Sequence, residues 1–182
     1  KQGGGTFWSE VHGNNISLRY APNWPLLTHV NGKAIFHNNS MYATATSASI
    51  YRSQIYHIAT EIPALSIESG TQLYVSGQGE SNGGDVVRFL NASPLAKVLG
   101  GVVQTVKAQG KTTLNLTLNV PLNHPHETKV LGQAKVSDAK LEFPNWHLDF
   151  DHVKGNLQFS QNQLQATYLS GRWLGYPVQG NI

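Results

Sequence analysis

The chain contains no cysteine. That excludes a disulfide framework, thiolate zinc sites and a cysteine nucleophile. The absence does not fix a compartment, although it suits a periplasmic protein that avoids stray disulfides. Charge is scarce as well. Asp, Glu, Lys and Arg make up 13% of the residues, about half the roughly 25% usual in globular proteins. The formal net charge is only +3, and cations such as Lys107, Lys111, Lys129, Lys135 and Lys140 are scattered. Without a basic run, no nucleic-acid partner is expected. No apolar stretch approaches the ~20 residues needed to span a bilayer, and no signal peptide opens the chain. There is no nucleophile elbow of the G-x-S-x-G type. Gly77-Gln78-Gly79 lacks the third glycine and the helix start of a dinucleotide-binding loop.

What the chain does have is alternation, and one stretch that occurs twice. The 182 residues leave room for one domain with a real core. Pro22 to Thr44 reads PNWPLLTHVNGKAIFHNNSMYAT, and Pro144 to Thr167 reads PNWHLDFDHVKGNLQFSQNQLQAT. With one inserted residue they share eleven identities, among them the Pro-Asn-Trp triplets, His29-Val30 with His152-Val153, Gly32 with Gly155 and Phe36 with Phe159. Such self-similarity marks a supersecondary unit used more than once.

The unit reads as a β-hairpin with one apolar face. Side chains alternate with period two along a strand, and Asn tolerates the positive φ of a two-residue turn. A turn at Asn38-Asn39 then sets Phe36 opposite Met41 and Ala34 opposite Ala43. A turn at Gln161-Asn162 sets Phe159 opposite Leu164 and Leu157 opposite Ala166. The same rule predicts a hairpin in which Gly132, Ala134 and Val136 face Leu141 and Phe143 across Asp138-Ala139. It predicts another over residues 6–20, around Gly13-Asn14.

Between these units, Ile50 to Ile62 is apolar in both phases, which predicts a strand covered on two sides. Leu73 to Ser81 reads as a strand that Gly77 and Gly79 flatten for close packing. Residues 85–108 switch to helical spacing, with Val86, Phe89 and Leu90, then Leu95, Val98, Leu99, Val102, Val103 and Val106. Asp85 and Ser93-Pro94 are the start signals of two helices that lie on the sheet. Lys111 to Val120 is a clean strand, with Leu114, Leu116, Leu118 and Val120 on one face. Arg172 to Ile182 reads as one further strand. The expected class is mainly β (α+β): an antiparallel meander forming a curved, groove-like sheet with one or two central helices packed on it. Residues 1–182 read as a single segment excised from a longer chain. It holds related units at 22–44 and 144–167 and a helical insertion at 85–108.

Candidate chemistry is thin. His124-Pro125-His126 offers two imidazoles, but a structural zinc site normally takes four ligands. His29 and His152 hold matched repeat positions, which points to a structural role. Asp149 and Asp151 share one strand face, the usual arrangement of a solvated surface rather than an acid–base pair. Trp24 and Trp146 read as wedges at the hairpin bases rather than sugar platforms. No catalytic residue, metal site or cofactor is expected.

Several motifs in order resemble the periplasmic region of AsmA-like proteins, the YhdP branch in particular. They are the Pro-x-Trp-Pro near Trp24, Val86 to Leu95, Lys111 to Leu122, Gly132 to Leu141, Gly155 to Phe159 and Leu174 to Val178. The resemblance runs from about residue 16 to the end. It implies an envelope protein of Gram-negative bacteria, tethered to the inner membrane and reaching through the periplasm. In such bridge-like lipid-transfer proteins, repeated β units form a groove along which phospholipid acyl chains pass toward the outer membrane, with no catalysis. The groove lining would be Ala34, Phe36, Met41, Ala43, Leu114, Leu116, Leu118, Val136, Leu141, Leu157, Phe159 and Leu164. Expected partners are acyl chains and neighbouring repeats, with membrane contact made by parts outside this chain. Two other readings stay open: a structural or assembly module whose apolar face packs on neighbours, and a glycan-binding or hydrolytic β domain.

Overall fold

A computed structural model describes residues 5–20, 23–65, 70–99, 101–124, 127–160 and 163–181. Ten strands form one antiparallel sheet in strict sequence order. They are β1 (Trp8–Leu18), β2 (Leu27–His37), β3 (Ser40–Ile50), β4 (Ser53–Ile62), β5 (Gln72–Asn82), β6 (Lys107–Pro121), β7 (Lys129–Phe143), β8 (Leu148–Ser160), β9 (Leu164–Trp173) and β10 (Tyr176–Gly180). Three helices, α1 (Gly83–Asn91), α2 (Leu95–Leu99) and α3 (Val102–Thr105), link β5 to β6. The sheet is an open, curved meander with free edges at β1 and β10, so the mainly-β class holds.

The repeat hairpins form in the expected register. Phe36 pairs with Met41 and Ala34 with Ala43, around an Asn38 whose φ is +50°. Leu157 pairs with Ala166 and Phe159 with Leu164. The turn at Gln161-Asn162 lies outside the described residues.

Three expected features are corrected. Asp138-Ala139 is not a turn: β7 runs straight through it, and Asp138 is a bulge residue with φ +56°. The hairpin expected over residues 6–20 is likewise one strand, Trp8–Leu18, with a bulge at Asn15 (φ +52°) in place of a turn. The C-terminal strand is instead two, since a turn at Leu174-Gly175 sets β10 back against β9. A left-handed residue breaks alternation in the same way whether the chain then reverses or continues. Only the partner strand distinguishes the two outcomes.

Bulges recur along the whole sheet. Positive φ with a register shift marks Asn15, His29, His57, Gly110, Asp138, His152 and Tyr168. Each inserts an extra residue, bends its strand and strengthens the local twist. The following residue is turned back to the apolar face, as at Val30, Ala139 and Val153, all buried. This corrects the two-sided reading of β4. The bulge at His57 brings Ile55 and Ile58 to the same face, where both lie against Gly77, while His57 itself is exposed. It also explains the repeated His-Val pairs, each a left-handed histidine followed by an inward valine. The repeat glycines serve close approach. A β-carbon on Gly155 would stand 2.8 Å from the Tyr168 carbonyl oxygen, and one on Gly32 would collide with that of Thr44.

The helices lie on the apolar face, as expected from their spacing. Asn82, rather than Asp85, caps α1, its side chain accepting from the Gly84 N–H at 3.1 Å. Asp85 is used differently: it is buried and ion-paired with Arg52. Ser93 caps the next turn, accepting from the Leu95 N–H at 3.3 Å. The main core joins Leu95, Phe89 and Leu90 of the helical layer to Leu118, Val120 and Val130 of the sheet. Trp24 reaches this core from the β1–β2 connection, its ring 5.8 Å from Phe89 and 6.1 Å from Tyr20. Fully burying one such aliphatic side chain is worth about 1.5–3 kcal/mol. Trp146, its repeat counterpart, is 58% exposed and stacks on Phe143 at 5.7 Å. The two tryptophans are therefore not equivalent wedges.

Candidate functional site

The sheet gathers most of its apolar side chains on one face. Val11, Ala34, Ala43, Thr60, Val75, Leu118 and Val130 follow one another directly across seven strands. A second line links Leu114, Ala134, Leu157 and Ala166. A third runs from Leu116 through Gly132 to Phe159 and Leu164. Phe36 and Met41 adjoin Ile62, Val136 stands opposite Gly155, and Leu141 stands opposite Phe150. Leu164 apart, the residues picked out as groove lining therefore all belong to one surface.

Their burial is graded. Leu118 lies under the helical layer and is 5% exposed. Ala34, Phe36, Met41, Ala43, Leu114, Leu116, Val136, Leu141, Leu157 and Phe159 are half-buried. The Leu164 side chain lies outside what is described. The helices and Trp24 thus cover the middle of the face and leave apolar surface on either side of it. Sequence reasoning missed Val75, Val130, Phe150 and Val153 on this surface. The repeated His-Val pair was the signal for Val153, once its histidine is read as a bulge.

The edges add exposed apolar area. Phe7 and Trp8 at β1 are 57% and 60% exposed, and Leu174 and Tyr176 beside β10 are 76% and 74% exposed. Monomers seldom leave large apolar side chains gathered on unpaired strand edges.

The opposite face is mainly polar, although it also carries Tyr42, Tyr74 and Leu131. Gln78, Asn115, Gln133, Gln158 and Gln165 stand directly opposite one another on five successive strands. They floor a shallow depression of about 680 Å³. Asp149 stands opposite Glu142 and Asp151 opposite Arg172, all on the open surface of β7–β9. The Lys140 ammonium donates to Glu142 at 2.7 Å, and this hydrogen bond holds the Glu142 carboxyl below its usual range and the Lys140 ammonium above it. His152 Nδ1 is 2.6 Å from Asp138 Oδ1, joining two bulge residues of neighbouring strands. Among the described residues no cluster of His, Asp and Glu could hold a metal ion. Pro125 and His126 lie outside them. On the helix side, burial pushes the Tyr20 phenol up, with Tyr51 adding to the effect. No helix among the described residues is long and apolar enough to cross a membrane.

Comparison with known proteins gives this face a context. The chain is 22% identical over 178 residues to the intermembrane phospholipid transporter YhdP of Escherichia coli (strain K12). That match takes in 98% of the chain but 14% of the transporter, so the chain spans about one seventh of its relative. No solved structure matches. The family model for the YhdP protein matches residues 1–182, and the chain therefore belongs to the YhdP protein family.

Proposed function

We propose that this chain forms one section of an apolar trough that carries phospholipid acyl chains between membranes, with no catalytic role. One observation carries the reading: a mainly apolar face extends from β1 to β9 yet is only partly covered by helices. Acyl chains are suited to such a surface because burial is non-directional, at about 0.8 kcal/mol per CH₂. The relative's name, an intermembrane phospholipid transporter, supports the same substrate. The bulges bend the strands that carry them and so favour a concave apolar side. The unpaired edges of β1 and β10, with their exposed aromatic residues, are where neighbouring repeats of a longer protein would pair. A protein working between two membranes of a bacterial envelope would operate in the periplasm, tethered by parts outside this chain.

Native mass spectrometry of the complete protein tests the reading. Phospholipid should co-purify, and Phe36→Glu with Leu157→Glu should remove it from protein that still folds. Lipid-free wild-type protein, or lipid retained by the double variant, would overturn the trough. The alternative, an assembly module, predicts instead that these substitutions disrupt a protein complex and leave lipid content unchanged.

A further inference from the structure

The face turned away from the helices carries a strip without formal charge. Gln78, Asn115, Gln133, Gln158 and Gln165 form one row across β5 to β9. Beside it runs a second row, Ser76, Thr117, Leu131 and Ser160. Neither row holds a carboxylate, an ammonium or a guanidinium. Charges return in the rows on either side. Glu80 and Lys135 share one row with Thr113, and Glu61 and Lys129 share the other with Tyr74 and Asn119. The two neutral rows line the shallow depression of about 680 Å³. Solubility alone would be served as well by interspersed Lys and Glu.

The amides are open to a ligand. Each carboxamide has two N–H donors and a carbonyl acceptor. Among the described residues, Gln78 alone of the five has a side-chain partner: its Oε1 accepts from His57 Nδ1 at 3.0 Å, which leaves its N–H donors free. A hydroxyl both donates and accepts, so neighbouring hydroxyls on a sugar ring find both kinds of partner on every amide. Other ligand classes fit worse. A phosphate or carboxylate would give up hydration here with no cation in the strip to replace it. An acyl chain would leave the amides unpaired.

The strip also has apolar surface for the C–H face of a sugar. Leu131 is 65% exposed, two residues from Gln133 on the same strand. Tyr56 stands opposite Gln78 and closes the row at β4, its ring 5.2 Å from that of His57. A tyrosine combines an apolar ring with a polar tip. Five strands spaced by about 4.8 Å make the row of amides about 19 Å long. That length suits a linear ligand lying across the strands rather than a single ring.

We infer that this strip binds an uncharged, linear oligosaccharide laid across β5 to β9, through hydroxyl and acetamido contacts to the row of amides. The site lies on the face opposite the apolar trough and does not depend on lipid carriage.

Saturation-transfer NMR on the complete protein tests this, with chitotetraose as the neutral ligand and tetragalacturonate as its anionic counterpart. Chitotetraose should receive saturation. Tetragalacturonate should bind about tenfold more weakly, because its carboxylates meet no cation in the strip. Gln133→Ala with Gln158→Ala removes two amides from the row and should weaken chitotetraose about tenfold. Both positions are exposed, so the fold should be kept. Gln133→Glu keeps the side-chain length but removes the donors, and should weaken binding as well. No transfer to chitotetraose from the wild-type protein, equal binding of the two ligands, or unaltered binding in the strip variants overturns the inference. Strip variants that lose a partner protein, in a chain that binds no chitotetraose, would make the row a protein contact and overturn it too.

Discussion

Phe159 of β8 lays its ring over Gly132, its cross-strand partner on β7, so that a β-carbon at position 132 would occupy the space of the ring. An aromatic ring over a cross-strand glycine restores contact where the strand has no side chain of its own. Gly132→Ala should displace the ring and cost about 1–3 kcal/mol, as overpacking does. Phe159→Leu in the same chain should recover part of the loss. Urea denaturation of the two variants and the double variant measures this as a coupling energy. Simple additivity would mean the ring adjusts without strain.

The bulges give a second prediction. His29 holds φ at +52° in mid-strand. Asn visits this region readily, whereas a β-branched residue does so at a cost of roughly 1–2 kcal/mol. His29→Val should therefore destabilise by about that amount, and His29→Asn should be nearly neutral. If both behave alike in denaturant titrations, the bulge is not left-handed in solution.

Arg52 and Asp85 should respond unequally. Arg52→Ala strands a buried carboxylate, which costs more than losing an exposed guanidinium. We expect Arg52→Ala to destabilise by about 2–3 kcal/mol and Asp85→Asn by about 1 kcal/mol or less. The Asp85 carboxamide remains hydrogen-bonding and is easier to bury. The reverse order in thermal unfolding would show that the ion pair does not anchor α1.

Tyr20 predicts an alkaline weakness. Its folded-state pKa lies above the ordinary value because burial disfavours phenolate. A raised folded pKa means that the native state retains the proton longer than the unfolded chain. The stability it contributes is therefore complete below pH ~10 and falls as pH rises beyond that. Tyr20→Phe should flatten this decline in unfolding curves taken from pH 9 to 11.5. A decline equally steep in the variant would place its origin elsewhere.

How much of this was legible in the residues depended on whether the governing contact was local. Phe36 with Met41 and Phe159 with Leu164 could be paired from alternation plus an Asn turn, because both strands of each hairpin lie within one short window. Phe89, Leu90 and Leu95 could be placed on a helix from their spacing. Asp138 and Asn15 could not be assigned, since a polar residue suited to positive φ serves a turn and a bulge equally well. The divergence of Trp24 and Trp146 was equally invisible. Their triplets match, but only the first lies within reach of Phe89. Asp85 appeared as a helix cap, and its pairing with Arg52, 33 residues away in sequence, follows from the fold alone.

The strict order of the sheet, β1 to β10 without a crossover, bears on how such a chain is made. Every strand pairs with the one synthesised just before it, so no segment has to wait for a distant partner. Closing short loops costs little entropy, and sheets with sequence-local pairing avoid the slow step of long-range strand association. A polypeptide delivered through a membrane in extended form could add strands one at a time at a growing edge. The same order tolerates the insertion of whole hairpins without changing any existing pairing, a simple route by which proteins of this kind lengthen.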